Sequence, residues 1–90
     1  MRILIASNVD DGAVEYLRAE GHVISWAQAR HPASREAIGA DADWICRYAD
    51  AVAVRLDYAE HPAALAAYQT ALCLGALVIV VPKTFEPREK

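Results

Sequence analysis

Apolar positions along this chain alternate between two rhythms: short runs at strand spacing, and longer stretches at helical spacing. Residues 2–6, RILIA, predict a first strand at the very start. A polar loop over 7–11 follows, in which Asp10 or Asp11 is placed to cap a helix. Val14 and Leu17, with Tyr16 beside them, supply the helix's apolar stripe, and Gly21 marks its end. Residues 23–26, VISW, predict a second, shorter strand, and the loop after it contains His31 and Pro32. Ser34 then precedes Ile38, Ala42, Ile45 and Ala49, which recur at helical spacing behind a plausible cap. Gly39 inside that run costs about 1 kcal/mol relative to alanine and predicts a kink or a split.

Residues 49–82 form the organising unit. Positions 51–56 alternate small and large apolar residues and end at Asp57, which predicts a third strand. Pro62 stands where a helix begins and where a missing N–H costs nothing. Residues 63–74 are nearly all helix formers, with Leu65, Tyr68, Gln69 and Leu72 along one stripe and Gly75 as the stop. Residues 77–81, LVIVV, are continuously apolar up to Pro82, the pattern of a strand buried on both faces. Residues 1–82 therefore read as a single α/β domain, and residues 83–90, KTFEPREK, as a charged, flexible tail.

The predicted order is βαβαβαβ. Short loops and right-handed crossovers favour a three-layer, flavodoxin-like fold with a four-stranded parallel sheet of order 2-1-3-4. Ligands of such sheets bind beyond the carboxyl ends of the strands, where the strand order reverses. That places the crevice between residues 6–11 and 57–61. The first loop, ASNVDDG, has one glycine, where a dinucleotide fingerprint needs three to bring backbone against pyrophosphate.

Composition narrows the class. The chain has 90 residues, 56% of them hydrophobic, which suits one domain with a packed core and argues against disorder. A net charge of −3 with no basic cluster offers no footprint for nucleic acid. No apolar run reaches the roughly 18 residues a membrane span needs. The apolar part of MRILIASN is too short for a signal peptide, so the reading is a soluble, cytoplasmic protein. Cys46 and Cys73 stand apart in helical patterns and are expected to be buried, reduced thiols. His22, His31 and His61 are scattered, with no metal spacing among them, and no cofactor is expected.

The phrase YADAVAVRLD, followed by a helix ending ALCLGALVIVV, resembles the nucleoside 2-deoxyribosyltransferase-like proteins. In that family a phrase of the type ADxVVAVLD precedes a helix of the type GTxxExGxAxALGKPVI. The resemblance spans the layout to about residue 81 and the sequence of 49–81. Asp50 and Asp57 match the family's acids at the two ends of the third strand, and Ala71 and Gly75 match the second half of the helix. Counted back from Gly75, the family's nucleophilic glutamate falls on Ala67, its small glycine on Gln69 and its lysine on Ala76. The opening Gly-Thr is replaced by HPAAL, and the family's further strand and helix are missing. The resemblance thus implies a degenerate, truncated member that holds a nucleoside or nucleotide, or a protein partner, without catalysis. The alternative is a minimal deoxyribosyltransferase or N-glycosidase.

Retaining glycosyl transfer needs a carboxylate nucleophile with a second acid or base nearby. Asp57 and Glu60 are the weak catalytic candidates, set against plainer roles as a loop cap and as an acid beside a helix start. Ser7, Asn8, Asp57 and Tyr58 are the candidate ligand-binding residues at the crevice. Trp44 reads as core or interface rather than as a stacking platform.

A homodimer is also expected. The first helix falls on one face of a 2-1-3-4 sheet and the other two on the opposite face, which leaves strands three and four bare on one side. Arg55 in a central strand fits a face that meets a partner, where arginine is enriched. The expected interface comprises Ala51, Ala53, Arg55, Val78 and Val80, and the edge of the fourth strand is unprotected.

Overall fold

The structure is a computed structural model and describes residues 1–29 and 34–82. The expectations for His31 and for the 83–90 tail lie outside those residues. The elements are β1 (Arg2–Ile5), α1 (Asp11–Ala19), β2 (Val23–Trp26), α2 (Arg35–Arg47), β3 (Ala51–Arg55), α3 (Pro62–Leu74) and β4 (Leu77–Val81), with a 3-10 turn over Tyr58–Glu60 before α3. The four strands are parallel in the order β2-β1-β3-β4. This is the three-layer, flavodoxin-like arrangement that short right-handed crossovers predict.

The core is the middle of the sheet. Ile3, Leu4 and Ile5 of β1 and Ala51 to Val54 of β3 are fully enclosed. These central strands are covered on both faces, which parallel sheets require. Val14 and Ala13 pin α1, and Ile45 pins α2, to this core.

Local chemistry sets the element ends. Gly75 adopts φ 75° after α3; its N–H bonds the carbonyl of Leu72, and the Ala76 N–H bonds that of Ala71. This paired closure requires a left-handed residue, which glycine adopts without a Cβ clash. Ser34 caps α2, its Oγ accepting from the Ala37 N–H at 3.1 Å. Asp50, one of the two acids matched by the resemblance, accepts from the Arg2 N–H at 2.9 Å and so ties β3 to β1 at the amino edge of the sheet.

Several expectations change. Gly39 neither kinks nor splits α2, which runs unbroken over thirteen residues. The buried stripe of α3 is Ala63, Ala64, Ala67 and Ala71; Leu72 and Gln69 face solvent, while Leu65 and Tyr68 are half-buried. Short alanine side chains let α3 sit close on β3 and β4. Cys46 and Cys73 are free and exposed rather than buried. Cys46 follows the buried Ile45, and one helical step of about 100° turns it outward. Leu56 is exposed, because the chain leaves the sheet after Arg55.

β4 is not enclosed on both faces: Leu77 is 62% and Val80 47% exposed. The five expected interface residues also do not share a face. Ala51, Ala53 and Arg55 pair in register with Leu77, Ile79 and Val81, so Val78 and Val80 lie on the side of Val52 and Val54. Ala51 and Ala53 themselves present no surface.

Candidate functional site

The strand order reverses between β1 and β3, and the chain leaves both strands at the carboxyl edge. After β1 the chain turns at once, the Val9 N–H bonding the Ala6 carbonyl at 3.2 Å. Val9 buries into the core and holds Ser7 and Asn8, both half-buried, at the rim. After β3 comes the 3-10 turn, closed by the Glu60 N–H on the Asp57 carbonyl at 3.0 Å. Two separate loops thus meet at one edge.

Their side chains form a closed polar network. Arg55 grips Asp57 with two parallel bonds, Nε to Oδ1 and Nη2 to Oδ2, both 2.7 Å. The third guanidinium nitrogen, Nη1, reaches Asp10 Oδ1 at 3.3 Å. Asn8 donates from Nδ2 to Asp57 Oδ1 at 3.3 Å and accepts from the Arg55 N–H at its own Oδ1, also at 3.3 Å. His61 Nε2 lies 3.2 Å from Asp57 Oδ2. Asp10 precedes α1, but its side chain makes no capping bond, and it faces Arg55 instead. Arg55, expected at a partner interface, finds its acids within its own chain.

The Asp57 side chain is only 7% exposed. The Arg55 hydrogen bonds hold its carboxyl far below the usual carboxylate range, against the opposing effect of burial and with help from His61. Arg55 is in turn held further into its charged form, chiefly by the hydrogen bonds it donates to Asp57. With Arg55 on both oxygens, Asn8 also on Oδ1 and His61 also beside Oδ2, this carboxylate is a positioning group with little basicity. Beside it Tyr58 stacks on Tyr68, ring centroids 4.3 Å apart, and the contact with Tyr68 raises the Tyr58 phenol's pKa. Glu60 sits exposed on the 3-10 turn.

Asp57 gives a pH signature. Its folded pKa is depressed, so its contribution to stability is fully present above the unfolded value of about 3.9 and is lost as pH falls through the folded value. The stability gap between wild type and Asp57→Asn, from urea melts, is expected to be widest at neutral pH and to close progressively below about pH 4. A gap that stays constant down to strong acid would contradict the ion-paired arrangement.

The sequence placed Asn8, Asp57 and Tyr58 at this edge, and the structure joins Asn8 directly to Asp57. Sequence reasoning missed the parts of Asp10 and His61, because no spacing links positions that only the fold brings together. It also missed Asp41, which is 4% exposed on α2 and accepts from the Gln28 N–H at 2.6 Å and the Ala29 N–H at 2.9 Å. A polar residue within the apolar rhythm of α2 was the available signal. Trp44 is half-buried against the core and meets Tyr48 at 5.8 Å between ring centroids. His22 Nδ1 lies 3.2 Å from the amino group of Met1. Among the described residues no group of three or more His, Cys, Asp or Glu is placed to hold a metal ion. No helix among them is long and apolar enough to cross a membrane.

A separate groove of about 340 Å³ runs between α2 and α3, lined by Ile38, Ala42, Ala66, Thr70, Cys73 and Leu74 among others. Its α3 residues come from beyond the helix's first turn, so it lies apart from the network at the carboxyl edge.

Fold and site together define a flavodoxin-like α/β domain whose switch-point edge is closed by an arginine–carboxylate network. Compared with known proteins, the chain matches no family model, no curated protein and no solved structure.

Proposed function

We infer that this chain is a non-catalytic binding module that holds a nucleoside or nucleotide at the carboxyl edge of β1 and β3. The observation that carries the reading is the state of Asp57: the carboxylate at the switch point is bound on both oxygens by Arg55, within a network that also fixes Asn8. Such a network holds a rim in one shape, which lowers the ordering cost of binding. Around it are Ser7 as a hydroxyl donor and acceptor and the Tyr58–Tyr68 pair as an aromatic surface suited to a base. Ala67, where the resemblance puts a nucleophilic glutamate, is in the packed stripe of α3 and offers no reacting group.

The test is a thermal-shift screen with nucleosides, nucleotides and cyclic dinucleotides, followed by base-release assays on deoxynucleosides. A ligand at a hundred times its Kd adds about 2.7 kcal/mol, a rise in Tm of roughly 10–20 °C for a domain of this size. The shift is expected to disappear in Asn8→Ala and Tyr58→Ala. No shift with any of these ligands would defeat the binding reading. Base release above the protein-free control, lost in Asp57→Asn or Glu60→Gln, would replace it with the enzyme reading.

A further inference from the structure

We propose that the outer edge of β4, which pairs with no strand among the described residues, pairs antiparallel about a twofold axis through Ile79 with the same edge of a second copy of this chain, so that two four-stranded sheets become one continuous sheet.

The direction of the backbone groups on β4 is set by its bonds to β3. The Leu77 N–H donates to the Asp50 carbonyl, and the Val81 carbonyl accepts from the Leu56 N–H. Strand residues alternate, so positions 77, 79 and 81 turn their N–H and C=O groups toward β3, while Val78 and Val80 turn theirs to the open edge. A partner for this edge must offer donors and acceptors two residues apart, with uncharged side chains between them. β4 itself meets that need. With Ile79 on the axis, Val78 faces Val80 of the second copy and Val80 faces Val78 of the second copy, each pair exchanging two hydrogen bonds. All four outward-facing groups of each strand are then satisfied.

Side chains agree with the same register. On one face Leu77 comes opposite Val81 of the copy and Ile79 opposite its own counterpart; on the other face valine meets valine. Every cross-strand pair is apolar, the kind that stabilises a sheet. Leu77 and Val80, the most exposed residues of β4, are the ones that gain cover. β4 has no charge, proline or bulge within Leu77–Val81 to block an incoming strand. The opposite edge, β2, is one residue shorter and carries Ser25, so it offers a poorer template. A closed twofold pairing also consumes both β4 edges and leaves only the two shorter β2 edges at the ends of the joined sheet.

The experiment is sedimentation equilibrium of the full chain over a range of concentrations, with Val80→Lys, Val80→Pro and Val23→Lys. The Val80 N–H faces away from β3, so neither Val80 variant removes a bond of the chain's own sheet; circular dichroism checks that each remains folded. Wild type and Val23→Lys are expected to reach the dimer mass, and both Val80 variants to stay at the monomer mass. Amide exchange on wild type gives the same reading without substitution: the Val78 and Val80 amides become protected as concentration rises. A wild type that is monomeric throughout, dimers that survive both Val80 variants, dissociation by Val23→Lys instead, or Val78 and Val80 amides indifferent to concentration would each overturn the proposal.

Discussion

Replacing Asp41 by alanine is expected to cost about 2–4 kcal/mol, a large share of the stability of a chain this size. Asp41 sits on α2 with 4% of its surface exposed, and its two oxygens accept from the Gln28 and Ala29 N–H groups. Those donors belong to the loop that leaves β2, so one carboxylate ties that loop to the helix that follows it. Alanine removes both acceptors at once and takes the carboxylate acceptor from the N–H of the buried Ala29, a penalty larger than the net worth of that bond. Asp41→Asn keeps one acceptor oxygen but turns an amide NH2 toward the other N–H, and is expected to cost roughly half as much. Urea melts at neutral pH measure both changes. A loss below about 0.5 kcal/mol for Asp41→Ala, the range of ordinary surface changes, would mean the loop is held by other contacts.

Ala67→Glu is expected to destabilise the protein by about 3–5 kcal/mol. Ala67 is 3% exposed and lies in the alanine stripe where α3 packs on the sheet. Glutamate there forces a longer side chain into filled space, which costs about 1–3 kcal/mol, and buries a charge without a partner, which costs several more unless the helix shifts. Leu72→Glu, at a position 56% exposed on the same helix, is the control and should change stability by no more than about 0.5 kcal/mol. The pair also bears on function. The resemblance proposed for residues 49–81 would put a nucleophilic glutamate at the Ala67 position. A folded Ala67→Glu variant with wild-type stability and measurable base release would show a cleft at that position and revive the enzyme reading. The packing of α3 makes destabilisation without base release the expected result.

The two substitutions mark where local pattern and tertiary packing part. α3 is apolar on nearly every side, so its periodicity could not choose between the leucine stripe, 65–68–72, and the alanine stripe, 64–67–71. These differ by one residue, or about 100° of rotation. The larger side chains suggested the core face, yet the sheet took the smaller ones. The short alanine side chains of α3 allow a close approach of helix and sheet that Leu65 and Leu72 would block.

The rim of the sheet shows the same division. That Asn8, Asp57 and Tyr58 stand at the carboxyl edge followed from element order, because parallel strands joined by right-handed crossovers put these loops side by side. What they do there did not follow. Arg55 looked like a residue awaiting a partner because, along the chain, Asp57 is simply the next acid and Asp10 is 45 positions away. Only the pairing of β1 with β3 brings Asn8 and Asp10 to Arg55 and Asp57, and makes one closed network of them.

By itself the sequence determined the number, type and order of the strands and α-helices, the Ser34 cap and the glycine stops, and through these the parallel 2-1-3-4 sheet. Those properties depend on neighbours a few positions apart: the two- and 3.6-residue periods, the left-handed Gly75 and the Ser34 cap. The tertiary structure alone decided which face of α3 is buried, that both oxygens of Asp57 are engaged by Arg55, and that Asp41 holds the loop after β2. Each depends on distances between residues far apart in the chain, and no local period records them.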